Sequence, residues 1–139
     1  MTNFNFALLF NTKPKKSEVT NADFQVTNST TNECYPTNTM PDEFVAGDTI
    51  TFVVADKTKC DKINSCLFTS YPINGSKGPS PFAPPHDRAS FDFVAEELFG
   101  KPLKVAEERK GTWMFHLLGM YKYKGKYAAY YLDPEATTG

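Results

Sequence analysis

Gly47-Asp48-Thr49-Ile50-Thr51-Phe52-Val53-Val54 is the stretch from which the fold is read. In an extended chain Ile50, Phe52 and Val54 point one way, and Thr49, Thr51 and Val53 point the other. Side chains alternate across a strand with period two, so this pattern predicts a strand with one buried face. β-Branched and aromatic residues suit such a half-buried pleated surface. Gly47-Asp48 supplies a turn at the entry.

Working outward, Phe4, Phe6, Leu8 and Phe10 share one parity and predict a first strand over 4–10. Residues 11–21 hold Pro14 and three lysines and read as loop. Phe24 and Val26 predict a short strand over 23–27. Residues 28–41, rich in Asn and Thr and broken by Pro36 and Pro41, predict a long connection over the sandwich end. A strand is expected over 65–71. Pro72, Pro79, Pro81, Pro84 and Pro85 then forbid a regular central strand, and Phe82 among them is placed to plug one end.

Residues 90–99 fit helix or strand. Phe91, Val94, Ala95 and Leu98 have helical spacing, whereas Phe91, Phe93 and Ala95 alternate. A strand through Ala95 followed by a turn is the reading adopted. Leu103 to Ala106 reads as a short edge strand. Residues 111–123 are apolar on both parities, with Trp113, Phe115 and Leu117 against Met114, His116, Leu118 and Met120. That predicts a central strand covered on both faces. Lys124-Gly125-Lys126 is a hairpin turn, Tyr127 to Leu132 returns, and Asp133-Pro134-Glu135 ends the run. The result is a single all-β domain over 1–139, an Ig-like or cupredoxin-like β-sandwich of seven to eight strands with long Pro-rich loops.

Composition narrows the function classes. Aromatic residues make up 14% of the chain, too many for a disordered segment. Fifteen basic and sixteen acidic residues leave a net charge of −1, without the basic excess that phosphate neutralisation requires, so nucleic acid is not an expected partner. The local runs Lys13 to Lys16, Lys57 to Lys62 and Lys122 to Lys126 fall at turns and read as solvated charge. No run approaches the ~18 apolar residues of a spanning helix, so no membrane partner is expected. The first ten residues lack a basic signal-peptide start, and a cytoplasmic location, or export by a non-classical route, is expected. Cys34, Cys60 and Cys66 are odd in number. Cys60 and Cys66 are near enough for a bridge across a short loop, although free thiols are expected in a cytoplasmic setting. Asn28-Ser29-Thr30 and Asn74-Gly75-Ser76 match the glycosylation sequon and, without export, mark surface loops only.

Candidate chemistry is sparse. A blue-copper site needs two imidazoles, a thiolate and a weak axial thioether. The chain offers His86, His116 and Met120 as weak metal candidates, but no cysteine stands close before His116. His116 and Met120 share their parity with Met114 and Leu118, a face that reads as core. Cys60-x5-Cys66 is too loose for a zinc knuckle and has no second pair. Ser80, His86 and Asp87 form a triad only as a list, because they share one Pro-rich loop. Glu96-Glu97 and Glu107-Glu108 are sequence neighbours and point to opposite faces of a strand, so neither pair is an acid–base dyad. No catalytic residue and no cofactor are therefore expected. Tyr121, Tyr123, Tyr127, Tyr130 and Tyr131 gather around one hairpin. They read either as cross-strand pairs or as an amphipathic patch for a protein or carbohydrate partner, or for a homo-oligomer.

The order Gly47-Asp48-Thr49-Ile50-Thr51-Phe52, Ser80-Pro81-Phe82, Gly111-Thr112-Trp113-Met114-Phe115 and Asp133-Pro134-Glu135 resembles a set of small uncharacterised bacterial proteins. These carry GD-x-[VI]-x-[FW], a central SPF, G-[TS]-[YW]-x-[YF] and a terminal DPE. The likeness covers about residues 44–135. It implies a copper-free cupredoxin-like or Ig-like sandwich and transfers no functional residue. A looser likeness is to bacterial inclusion-body proteins of the AidA/PixA type, small β-rich proteins that also end near an Asp-Pro. The expectation is a non-catalytic binding or self-assembly module. The alternatives are a copper-binding cupredoxin relative and an inclusion-body or storage-type structural protein.

Overall fold

A computed structural model describes residues 1–9, 20–54, 62–73, 78–94, 102–107, 111–123, 125–132 and 135–138. Ten strands and no helix occur among them. The first sheet holds β1 (Asn3–Leu9), β3 (Asp23–Asn28), β4 (Thr49–Val54) and β7 (Pro102–Lys104) in the order β3-β1-β4-β7. The second holds β2 (Thr20–Asn21), β5 (Lys62–Ile73), β6 (Ser90–Val94), β8 (Gly111–Tyr123) and β9 (Lys126–Leu132) in the order β2-β9-β8-β5-β6, with β10 (Glu135–Thr138) also on β8. The protein is an all-β sandwich. β1 runs parallel to β4, and β2 parallel to β9; the remaining pairs are antiparallel.

The alternation that predicted the strands also builds the core. Phe4, Phe6 and Leu8 are buried, as are Phe24 and Val26, and Ile50 and Phe52. Phe6 stacks on Phe24 at 4.7 Å and meets Phe52 at 4.8 Å, joining three neighbouring strands by their rings. Trp113, Phe115, Leu117, Tyr121, Tyr130 and Leu132 complete the core from the second sheet. Phe82 is fully buried, bridges to Val105 and lies 5.5 Å from Phe115. It is part of the core between the prolines of its loop.

Several expectations need correction. Thr20 and Asn21 are not loop but pair with Tyr130 and Tyr131. Residues 28–41 do not cross the sandwich end. They fold back along the outer edge of β3, through Asn28 N–H to Glu33 C=O and Tyr35 N–H to Val26 C=O. Pro72 belongs to β5, opposite Trp113. Ser70 donates its N–H to Ala89, on the β6 side. Two residues on, Pro72 would direct its missing N–H to that same side, past the end of β6, so the ladder loses nothing. Residues 90–94 are strand; 95–99 lie outside the described residues, as do Phe10, Glu96, Glu97 and Asp133-Pro134. The chain does not end its sheet at residue 132, because β10 returns to pair with β8 at Gly111 to Met114. This and the two-residue β2 raise the count above seven or eight.

The Gly47-Asp48 turn has a structural purpose. Gly47 has φ +90°, a conformation that L side chains rarely adopt. The Asp48 carboxylate is buried and accepts Thr2 N–H at 2.9 Å and Val45 N–H at 3.0 Å. It thereby ties the chain start to the entry of β4.

Candidate functional site

The two outer faces of the sandwich differ in kind. On the first sheet, Asn3 Oδ1 accepts the Thr49 hydroxyl at 2.7 Å and the Thr51 hydroxyl at 3.1 Å, while Asn3 Nδ2 reaches Asn5 Oδ1 at 3.3 Å. Gln25 Nε2 donates to Tyr35 C=O at 3.2 Å. The Asn3, Asn5, Thr49 and Thr51 end of this face is polar and hydrogen-bonds within itself, while Ala7, Leu9 and Val53 stand half-buried farther along it.

The second sheet presents the opposite surface. Along β8 the odd positions Trp113, Phe115, Leu117 and Tyr121 are buried. The even positions therefore point outward. Leu118 is 47% exposed and Met120 42%. β9 repeats the pattern: Ala128, Tyr130 and Leu132 are buried, whereas Tyr127 is 50% and Tyr131 38% exposed. Register brings the two rows together, with Leu118 opposite Tyr131, Met120 opposite Ala129 and Lys122 opposite Tyr127. Lys122 Nζ stands 5.6 Å from the Tyr127 ring centroid, within cation–π range. Of the six exposed large hydrophobic residues among those described, four lie on this surface.

The tyrosine hairpin splits accordingly. Tyr121 and Tyr130 face each other in the core at 6.2 Å between ring centroids, so they cannot belong to a surface patch. Tyr127 and Tyr131 are the exposed pair. Tyr123 lies on β8, paired with Lys126 across the hairpin turn. Leu118 was missed as a surface residue. The only signal for it is the apolar character of both parities of 111–123, which fits a strand covered on both faces as well as one with an open apolar face.

The metal candidates do not converge. His116 and Met120 lie on the outward face of β8, not in the core as their neighbours suggested. Four residues along a strand separate their backbones by about 13 Å, far beyond a shared ligand shell. His86 is in the Pro-rich loop, and burial holds its imidazole below the ordinary value, with Asp87 pulling the other way. Among the described residues no three His, Cys, Asp or Glu side chains gather into a metal-sized group. Cys34 is a free exposed thiol; Cys60 lies outside the described residues.

The Ser80, His86, Asp87 grouping has a different geometry from a triad. The buried Ser80 hydroxyl donates to the main-chain oxygen of His86 at 2.8 Å and accepts Phe82 N–H at 3.2 Å. It closes the SPF loop over the core and is not aligned on an imidazole. With this geometry in place, comparison with known proteins adds no relative: no protein-family model, curated protein or solved structure matches the chain.

Proposed function

We propose that this chain is a non-catalytic binding or self-assembly module whose contact surface is the outer face of the second sheet. The observation that carries the reading is the outward row Leu118 and Met120 on the central strand β8, with Tyr131 and Tyr127 beside it on β9. Exposed apolar residues that cluster on one face mark interaction surfaces, whereas scattered ones do not. Tyrosines at the margin supply rings with a polar tip, which suits a partially wet boundary. Among the described residues of the other outer face no large hydrophobic side chain is exposed to the same degree, and Asn3, Thr49 and Thr51 hydrogen-bond one another there.

The kinship with cupredoxin-like or Ig-like sandwiches belongs to the same proposal. It is supported by two facing sheets, mainly antiparallel ladders and the ordered GDTITF, SPF and GTWMF pieces. An inclusion-body or storage-type role would use the same surface for repeated self-contact.

A second reading has its own observation. Tyr127 and Tyr131, with Lys122 beside the first ring, form an aromatic and cationic corner of the kind that stacks on a sugar. One experiment covers both readings. The wild-type chain and a Leu118→Ser/Tyr131→Ser double variant are compared by native mass spectrometry and on a glycan array. Association or glycan binding that the variant loses, with its melt unchanged, supports the proposal. A wild type that neither associates nor binds a glycan overturns it.

A further inference from the structure

We infer that residues 29–40 are a releasable latch over the outer edge of β3, opening as one unit while the sandwich stays folded. The inference does not depend on the outer face of the second sheet.

The first sheet has two edges, β3 and β7, and both are covered. At β7 the cover is anchored by burial. Ala83 N–H donates to Lys104 C=O and Ala106 N–H to Pro81 C=O, each at 2.8 Å. Between these bonds Phe82 is fully buried, with Ser80 and Pro81 buried beside it. Opening that edge would draw a whole aromatic side chain out of the core.

At β3 the hydrogen bonds are as short. Asn28 N–H donates to Glu33 C=O at 2.8 Å, Tyr35 N–H to Val26 C=O at 2.9 Å and Asn38 N–H to Phe24 C=O at 2.8 Å. Phe24 N–H in turn donates to Asn38 Oδ1 at 2.9 Å. The side chains are what differ. Ser29 to Cys34 and Pro36 to Thr39 are all exposed, and only Tyr35 and Met40 rest, half-buried, against the core. A main-chain group released here meets water, which replaces most of the lost bond. Segments with little apolar burial and exposed hydrogen bonds are the ones that open below global unfolding.

β3 itself does not rely on the latch. Six residue pairs hold it to β1, and Phe24 stacks on Phe6 at 4.7 Å. The latch is also tethered at both ends to the start of β1. Ser29 N–H donates to Asn3 C=O at 2.9 Å, and Phe44, just past the latch, meets Phe4 edge-on at 4.9 Å. With its ends held together, the segment swings as a closed loop and recloses quickly. Open, Phe24, Val26 and Asn28 present main-chain groups to a strand of another chain; closed, the latch occupies that edge.

Amide hydrogen exchange read by NMR tests this. Main-chain groups alternate sides along a strand, so Gln25 and Thr27 direct theirs to β1 and report global opening. Phe24, Asn28, Tyr35 and Asn38 report the latch. These four are expected to exchange at least about a hundredfold faster than Gln25 and Thr27, with little dependence on low urea because little surface is uncovered. Leu117→Val, in the core of the second sheet, should speed Gln25 and Thr27 about fivefold and leave the four unchanged. Thr27→Cys supplies a lock. Thr27 faces Cys34 in an isolated bridge, with its Oγ1 3.7 Å from Cys34 Sγ, so a disulfide to Cys34 fits there. With that bridge confirmed by peptide mass, the four latch amides should slow about tenfold or more, and a reductant should restore them. Latch amides as protected as Gln25 and Thr27 overturn the inference, as does equal acceleration of all six by Leu117→Val. Slowing confined to Asn28 and Tyr35 in the bridged variant would mean that the segment frays piecemeal, and overturns it too.

Discussion

Asn38 occupies the place of a missing strand beside Phe24. Its side-chain Oδ1 accepts Phe24 N–H at 2.9 Å, and its own N–H donates to Phe24 C=O at 2.8 Å. One residue thus satisfies both main-chain groups of an edge position, as a paired strand would. It does so at φ 62°, where Asn is among the better-tolerated residues, and its Nδ2 is fixed by Asp23 at 2.9 Å. Farther along, Tyr35 and Glu33 take the next groups of β3. The long Asn- and Thr-rich connection is an edge cover, which limits pairing with other chains.

Asn38→Ala removes the acceptor for Phe24 N–H and puts a less tolerant residue at positive φ. A loss of about 1–3 kcal/mol is expected from these two effects. Asn38→Gly relieves the backbone but not the acceptor, and should fall between Ala and wild type. Urea midpoints measured at constant slope decide the order. Equal midpoints for Asn38→Ala and wild type would show that the cover contributes nothing.

Asp48→Ala strips the acceptors from Thr2 and Val45 N–H groups at a buried position. Each orphaned donor costs about 1–3 kcal/mol, a large part of a small domain's stability. Gly47→Ala acts on the same turn by a different route. The added Cβ would stand 3.1 Å from Met1 Sδ, and φ +90° is strained for any L side chain. Both variants should unfold earlier in urea, with Asp48→Ala also exposing the N-terminal strand to proteolysis before the rest of the chain.

The sequence and the structure agree wherever one face of a strand is buried and the other is polar. Phe4, Phe6 and Leu8 beside Asn3 and Asn5, or Ile50 and Phe52 beside Thr49 and Thr51, leave no choice of register. β8 is different. Trp113, Phe115 and Leu117 on one parity and Met114, Leu118 and Met120 on the other give the pattern no polar face to discard. Period alone then cannot tell a covered face from one left open for contact. The tyrosines mislead for a related reason: Tyr130 and Tyr131 are adjacent, so one must be core and the other surface. β2 and β10 were illegible because their pairing depends on distant partners, Tyr130 and Trp113, and on no pattern of their own.

Trp113 is the single tryptophan, fully buried, with its indole N–H donating to Gly78 C=O at 3.2 Å. Its emission should therefore be blue-shifted in the native state and move to the red on unfolding, in step with the loss of β circular dichroism. Trp113→Phe keeps most of the packing and loses the hydrogen bond, for about 1–3 kcal/mol. Trp113→Ala opens a cavity worth about 3–5 kcal/mol and should leave little folded protein at ambient temperature. Full solvent quenching of native Trp113 by acrylamide would contradict this placement.

The last expectation concerns pH. Burial holds the folded His86 imidazole below its ordinary value, and Asp87 opposes this only in part. The unfolded chain, with a histidine near about 6.5, binds this proton first as the pH falls. Protons then favour the unfolded state, so stability is full above about 6.5 and declines as the pH drops toward the folded value; below that value both states are protonated and the decline stops. The Ser80 bond to the His86 main-chain oxygen keeps the imidazole in its loop whichever form it takes, so the effect should appear in stability and not as a structural switch. His86→Gln removes the titrating group. The difference in melting temperature between wild type and His86→Gln should therefore change between about pH 7 and pH 5 in the direction of a relatively weaker wild type at the acid end. Melts recorded across that range check the sign, and a difference that stays flat, or grows in favour of wild type, would mean that His86 is more readily protonated in the folded chain than its buried position allows.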